Sequence, residues 1–273
     1  MSGLPAPRVA HTGFHSHLPR LGIVVVDNDP VPEMEIWRQA AGRLSIHTVR
    51  FALPRQPGQI YLGSSVDELV DRAGLGVALD TLRRIRVDAA CLCFTSASVF
   101  SDGRFDAAFI RDATARIGCA VATTSAQALV RGLLKRRARA PALLIPPWYS
   151  DETVDAFVSY FSRHDLAVAV RIPFRLPSRW NDVPRQDRFD RGAVWDVAAA
   201  DIVAQAEQAL VPHRHAVDAI VVPGSGFPSL DAVSAVEQRL GLPMLSANST
   251  SLEWFVDSIE NRLQRLWEAG ESR

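Results

Sequence analysis

Cysteine is scarce in this chain of 273 residues, with only Cys91, Cys93 and Cys119 present. Three thiols cannot build a disulfide framework, and without a paired CxxC spacing they do not read as a zinc site, so they are taken as reduced. An excess of charge of either sign is missing as well. Lys and Arg total 30 against 30 Asp and Glu, and no basic stripe runs between aromatics, so nucleic acid is not an expected partner. Long hydrophobic runs are absent: stretches such as 21–26 are far too short to span a bilayer, and no charged-then-apolar leader opens the sequence. No membrane partner and a cytoplasmic location are the expectations. Residues 1–18, with Pro5, Pro7 and three histidines, lack apolar periodicity and read as a flexible tail. His11, His15 and His17 have a spacing that metals use, but a loose terminus offers neither preorganised geometry nor supporting partners, so no metal is expected.

What is present is ordinary globular material, 48% hydrophobic and 22% charged, enough to bury a real core. From Arg20 onward short apolar runs alternate with amphipathic stretches, the pattern of an α/β protein with mostly parallel sheets. The spacing predicts strands over 21–26, 44–51, 89–93, 120–123, 142–145, 167–172, 219–222 and 244–246. Helices are predicted over 33–41, 65–85, 105–117, 126–135, 151–163, 194–210, 229–240 and 252–269.

An internal repeat organises these elements. "RVDAACLCFTSAS" from Arg86 and "AVDAIVVPGSGFP" from Ala216 share Val-Asp-Ala, an apolar strand and a small-residue loop. The segments that follow, "FDAAFIRDATARIGCAVATTS" and "LDAVSAVEQRLGLPMLSAN", each close a helix with a glycine, Gly118 or Gly241, and enter another strand. "RLGIVVVDND" and "APALLIPPWYS" form a third pair. Three pairs in one order predict a duplicated half-domain: two pseudo-symmetric lobes, 19–124 with 249–273 and 125–248, with a cleft between them. In such folds ligands bind beyond the carboxyl ends of the strands. That places the loops at 27–29, 94–98, 148–150 and 224–226 around one site, with Phe94 and Gly224 at equivalent positions on opposite walls.

Thr95, Ser96 and Ser98, and Gly224, Ser225 and Gly226, each lie between a strand and a helix. Their hydroxyls and free amides can cradle a carboxylate or an enediolate, while the plainer reading makes them turns and caps. Cys91 and Cys93 share one strand face and Phe94 takes the other, so the thiols are expected in a core. As a nucleophile Ser225 needs an adjacent base, for which Asp29 or Glu33 stand as candidates. Tyr149 is read as a proton donor to a developing enolate or as an aromatic at the lobe seam. His213 and His215 belong to a solvated loop. The stretch 173–191, with five arginines, three prolines and Trp180, is either a surface excursion or a lid whose arginines meet an anionic substrate.

The "TSAS" run, the "SAQALVRGL" helix, the "PPWY" strand end and "LDAVSAVEQRLGLPMLSAN" resemble the arylmalonate decarboxylase and maleate isomerase branch of the aspartate/glutamate/hydantoin racemase superfamily, from about residue 21 to 254. A related ectoine-utilisation group is similar in its "TSAS" run and in an Asp at the place of Asp29, followed by Glu33. The resemblance implies a cofactor-independent enzyme for small carboxylates or dicarboxylates that forms a homodimer or higher homo-oligomer. It also implies two opposed catalytic cysteines, of which the decarboxylase keeps only the second. The first falls on Phe94 and the second on Gly224, neither of which can transfer a proton, so two-base racemisation is not expected.

Thr95, Ser96, Tyr149 and the amides of Ser225 and Gly226 match the carboxylate-binding elements. Asp29 and Asn248 fall on or near family asparagines. The expected activity is decarboxylation, isomerisation or lyase chemistry through an enolate-like intermediate, with Ser225 and Tyr149 as candidate catalytic groups. The rival readings are a non-catalytic carboxylate-binding or regulatory protein, and a hydrolase or lyase built on Ser225.

Overall fold

The computed structural model describes residues 18–271 apart from 54, 57, 102, 119 and 120, with side chains to residue 260. The tail histidines and Cys119 therefore lie outside the described residues. Eight strands form two four-stranded parallel sheets. The first, ordered β2-β1-β3-β4, holds β1 (Arg20–Val26), β2 (Ser45–Phe51), β3 (Ala89–Cys93) and β4 (Val121–Thr124). The second, ordered β6-β5-β7-β8, holds β5 (Pro141–Ile145), β6 (Val170–Pro173), β7 (Ala219–Val222) and β8 (Met244–Ser246). The same strand order occurs in both halves, as the sequence repeat requires. The aspartate of the repeated Val-Asp-Ala has a matching job in each: Asp88 accepts the Arg20 amide at the start of β1, and Asp218 accepts the Arg139 and Ala140 amides ahead of and at the start of the β5 region.

Strands β3, β5 and β7 are buried throughout, the state of parallel strands covered on both faces. On one face of the first sheet Leu21, Ile23, Val25, Cys91 and Cys93 meet Leu252, Trp254 and Phe255; on the other Val24, Val26 and Leu92 meet Leu79, Leu82 and Phe109. Cys91 and Cys93 are thus core residues, as strand alternation predicts.

Ten α-helices surround the sheets among the described residues: α1 (Val31–Ala40), α2 (Val66–Arg72), α3 (Leu75–Ile85), α4 (Thr95–Val99), α5 (Arg104–Ile117), α6 (Ser125–Lys135), α7 (Asp151–Ser162), α8 (Ala199–Leu210), α9 (Val233–Leu240) and α10 (Ala247–Glu271). Gly118 and Gly241 end α5 and α9 in the left-handed conformation at φ 67°, the helix stops expected of them. Three predicted helices differ from the structure. The 65–85 stretch is two helices, because Gly74 turns at φ 80°, a conformation open to glycine, between a segment that buries Val66 and Leu69 and one that buries Leu75, Leu79 and Leu82. The 194–210 stretch becomes helical only at Ala199, after a 3₁₀ turn at Ala193–Asp196. The last helix begins at Ala247 rather than 252, and Thr250 and Ser251 return their hydroxyls to its carbonyls.

The helices that leave β4 and β8 cross over. Helix α6 lays Leu129, Val130 and Leu133 on the second sheet, while α10 lays Leu252 and Phe255 on the first. They meet at Gly132, where a Cβ would stand 2.6 Å from the Thr250 methyl. Lys135 and Arg136 pair with Glu253 at 2.9 Å along the seam. Each sheet is therefore covered by the helix that follows the last strand of the other. Among the described residues no helix is long and apolar enough to cross a membrane.

Candidate active site

Beyond the carboxyl ends of the strands the four predicted loops enclose a cavity of about 120 Å³. Its first wall begins where β3 stops. Phe94 leaves the strand at φ −144° and ψ 77°, and its half-buried ring packs 5.0 Å from that of Tyr61 and 5.9 Å from that of Phe51. Thr95 and Ser96 follow at once in α4, a helix the sequence pattern does not reveal because "TSAS" has no apolar period.

The opposite wall is built around missing side chains. A Cβ on Gly224 would stand 2.7 Å from the Tyr149 hydroxyl and 2.9 Å from the Pro146 ring. The phenol therefore fills the space that a side chain at 224 would occupy. Tyr149 stacks on Phe157 at 5.5 Å. Burial pushes its hydroxyl up to about 12, partly offset by the neighbouring Thr95 and Ser96 hydroxyls, which favour the phenolate. Gly226 makes a second close approach: a Cβ there would stand 2.9 Å from the Phe189 ring and 3.0 Å from Asp29 Oδ2.

Asp29 lines the cavity at only 6% exposure. Its Oδ1 accepts the Val31 amide at 3.0 Å. Desolvation raises the carboxyl to about 7, against the lowering effects of the Val31 amide and Arg50 and with a further push from Glu35. Arg50 itself donates to the carbonyls of Val26, Asp27 and Asp29 and pairs with Glu33 at 2.6 Å. Glu33 is thus held outside the site.

Ser225 donates its hydroxyl to the Cys93 carbonyl at 3.0 Å, across the lobe boundary, and no carboxylate or imidazole hydrogen-bonds it among the described residues. The base expected from Asp29 or Glu33 is therefore not at hand. The Cys93 thiol is held well above its usual range by the neighbouring Cys91 sulfur and by burial.

Asn248 lies behind this wall. Fully buried, it donates to the Ser225 carbonyl at 2.9 Å and to Glu35 Oε2 at 2.8 Å. Glu35 Oε1 accepts the Ser229 and Leu230 amides at 2.6 Å each, and burial raises its pKa against those donors. Sequence reasoning missed Glu35. The signal was available, since it shares the buried stripe of α1 with Val31 and Gln39.

The 173–191 stretch folds across the cavity mouth in 3₁₀ turns at Ser178–Trp180 and Arg185–Asp187 and contributes Gln186 and Phe189 to the lining. Its arginines turn elsewhere. Arg185 holds the Tyr149 carbonyl at 3.2 Å and Asp151 at 2.6 Å, and Arg188 holds the carbonyls of Pro147 and Val183. The arginine that lines the cavity among the described residues is Arg55, from the other lobe, whose Nη2 donates to both carboxylate oxygens of Asp190 at 2.9 Å. His213 is exposed beyond α8 and contributes nothing to the cavity. Among the described residues no cluster of three or more His, Cys, Asp and Glu is placed to hold a metal ion.

The family model described as arylmalonate decarboxylase matches residues 63–264. The chain belongs to the arylmalonate decarboxylase family. Solved structures agree in fold. An arylmalonate decarboxylase superposes with a TM-score of 0.67 at 20% identity, over 88% of this chain and 92% of that one. The maleate isomerase Iso of Pseudomonas putida S16 gives 0.72 at 18%, over 89% and 93%. A Nocardia farcinica maleate cis-trans isomerase with a covalently bound succinylcysteine intermediate gives 0.69 at 20%, over 89% and 93%. No curated protein matches the sequence significantly. In this member of the arylmalonate decarboxylase family the Phe94 ring lines the cavity, Gly224 lies behind the Tyr149 hydroxyl rather than in the lining, and Cys91 and Cys93 are buried in the core.

Proposed function

We propose that this protein is a cofactor-independent enzyme that decarboxylates or isomerises a small carboxylate through an enolate- or enediolate-like intermediate, without a cysteine. One observation carries the reading: Thr95, Ser96, Tyr149, Ser225 and Gly226 line one small cavity, and with them stand Phe94 and Gly224, at the positions to which the sequence resemblance assigns the family thiols. Hydroxyls and backbone amides aimed at one spot stabilise negative charge as it develops on a carboxylate, and in a desolvated cleft they do so more strongly than water. Phe94, Tyr61 and Leu53 line the apolar side, where a departing carboxylate is poorly solvated, which favours loss of CO₂. The covalent route suggested by the Nocardia farcinica succinylcysteine intermediate finds no thiol in the cavity lining among the described residues.

Asn248 and Ser225 act in this reading as positioning residues: the Ser225 hydroxyl ties the loop that carries the Gly226 amide to the Cys93 carbonyl, and the Asn248 amide donates to the Ser225 carbonyl of that loop. The same reading takes 19–124 with 249–273 and 125–248 as the two lobes of a cytoplasmic homodimer. Phenylmalonate and maleate, tested in turn, check it. Turnover of either is expected, and Thr95→Ala or Ser96→Ala is expected to lower it about a hundredfold, the scale of one lost oxyanion donor. The second reading, a carboxylate-binding protein that has abandoned catalysis, rests on the loss of both thiol positions. Thermal stabilisation by these carboxylates with no product formed would favour it.

A further inference from the structure

The groups that can hold a carboxylate in this cleft are poor sources of a proton for carbon. Tyr149 keeps its proton up to about 12, Ser225 has committed its own to the Cys93 carbonyl, and the Cys93 thiol belongs to the core. Reaction at the α-carbon nevertheless requires a proton to arrive there.

Asp29 is arranged differently from all of these. Its backbone is clamped by Arg50, and its Oδ1 is anchored by the Val31 amide. Among the described residues no hydrogen bond reaches its Oδ2, which lies on the cavity side over Gly226, 3.0 Å from where a Cβ would be. A side chain at 226 would collide with the carboxyl and with the Phe189 ring; the glycine lets Oδ2 reach the cavity lining beside it. We propose that Asp29, through Oδ2, is the catalytic acid that delivers the proton to the substrate α-carbon.

This rests on the proposed reaction and names its missing acid. In decarboxylation the bond between the α-carbon and the leaving carboxylate breaks, CO₂ departs, and the electron pair remains on the α-carbon and its retained carboxylate. A new C–H bond forms with the proton of Asp29, which becomes a carboxylate and recovers a proton from water. The charged and titratable neighbours fit that cycle. Arg50 from β2 and Glu35 from α1 act on Asp29 in opposite senses, Asp29 in turn acts on Cys93 and Tyr149, Glu33 is neutralised by Arg50, and Arg55 is paired with Asp190. With burial dominant, the carboxyl titrates near 7, so the proton-bearing form is present below that pH and lost above it.

The test is Asp29→Asn in the full chain, which preserves the acceptor for the Val31 amide and removes the proton. Phenylmalonate, whose decarboxylation forms the new C–H bond, is the turnover probe between pH 5 and 9, and maleate serves as a second binding probe. Wild-type kcat is expected to fall as pH rises through about 7. The variant is expected to lose about a hundredfold or more in kcat, to show no inflection near that pH, and to keep the thermal shift that the same probe produces. Turnover within twofold of wild type, or an unchanged pH profile in the variant, would overturn the assignment. If wild type converts neither probe, the proposed reaction fails. Probe binding that weakens above that same pH in wild type but not in the variant would then still put Asp29 Oδ2 against the ligand, and its absence would remove Asp29 from the site.

Discussion

The loops after β3 and β7 hold the same place in two copies of one topology, and they are stabilised in opposite ways. After β3 a large side chain does the work: Phe94 packs between Tyr61 and Phe51, and Thr95 and Ser96 ride on it into the cavity. After β7 the side chains have been stripped back to Gly224 and Gly226, and the space is taken by groups from elsewhere, the Tyr149 hydroxyl, Phe189 and Asp29. That loop is held by tethers instead: Ser225 to the Cys93 carbonyl, Asn248 to the Ser225 carbonyl, and Glu35 to Ser229 and Leu230. One wall is anchored by apolar packing and the other by directed hydrogen bonds, to Cys93 and Glu35 of the opposite lobe and from Asn248 of its own. A duplicated fold can therefore keep its symmetry in the sheets and abandon it at the site, where each loop is free to import what it lacks.

This contrast can be broken at its polar end first. Glu35→Ala removes the acceptor shared by two backbone amides and Asn248, leaving buried donors unpaired. A loss of about 3 kcal/mol or more in unfolding free energy is expected by denaturant titration, from about 1–3 kcal/mol per orphaned group. A loss under about 1 kcal/mol would mean that the loop does not depend on its tethers. Next comes Gly224→Cys, which forces a side chain into the Tyr149 hydroxyl and should cost about 1–3 kcal/mol by overpacking. In a Tyr149→Phe background the same change should cost less, because one of the two colliding groups is gone; strict additivity in the double-mutant cycle would argue against the phenol's occupying that space. The smallest effect belongs to the packed wall. Phe94→Leu keeps most of the buried volume but loses the ring contacts with Tyr61 and Phe51, about 0.5–1.5 kcal/mol, with little change in kcat.

The sheets were readable because buried parallel strands are written as short apolar runs, and the repeated Val-Asp-Ala marks their order in each half. Cys91 and Cys93 could be placed in the core from strand alternation alone. Helix α4 escaped because Thr95 to Ser98 carry no apolar period, whereas the break at Gly74 was legible: Val66 and Leu69 fall half a turn out of phase with Leu75, Leu79 and Leu82, which one continuous helix could not bury together. At the site, the sequence pointed to Asp29, Thr95, Ser96, Tyr149, Ser225 and Gly226, all of which line one cavity. It did not show that Asn248 lies behind that cavity, that Glu35 joins the lobes, or that the arginines of 173–191 bind carbonyls and Asp151. Those facts depend on contacts between groups distant in sequence, across the lobe boundary for Glu35 and within one lobe for Asn248 and the arginines, and no local pattern encodes such an approach.

The central claim is that this cleft works on a carboxylate without a thiol. Turnover of phenylmalonate by the native protein, measured before and after exhaustive alkylation of every accessible cysteine, tests it most directly. The account predicts turnover beforehand and the same rate afterwards, because Cys91 and Cys93 are buried and no described cysteine faces the cavity. Activity that disappears in step with thiol modification would contradict it.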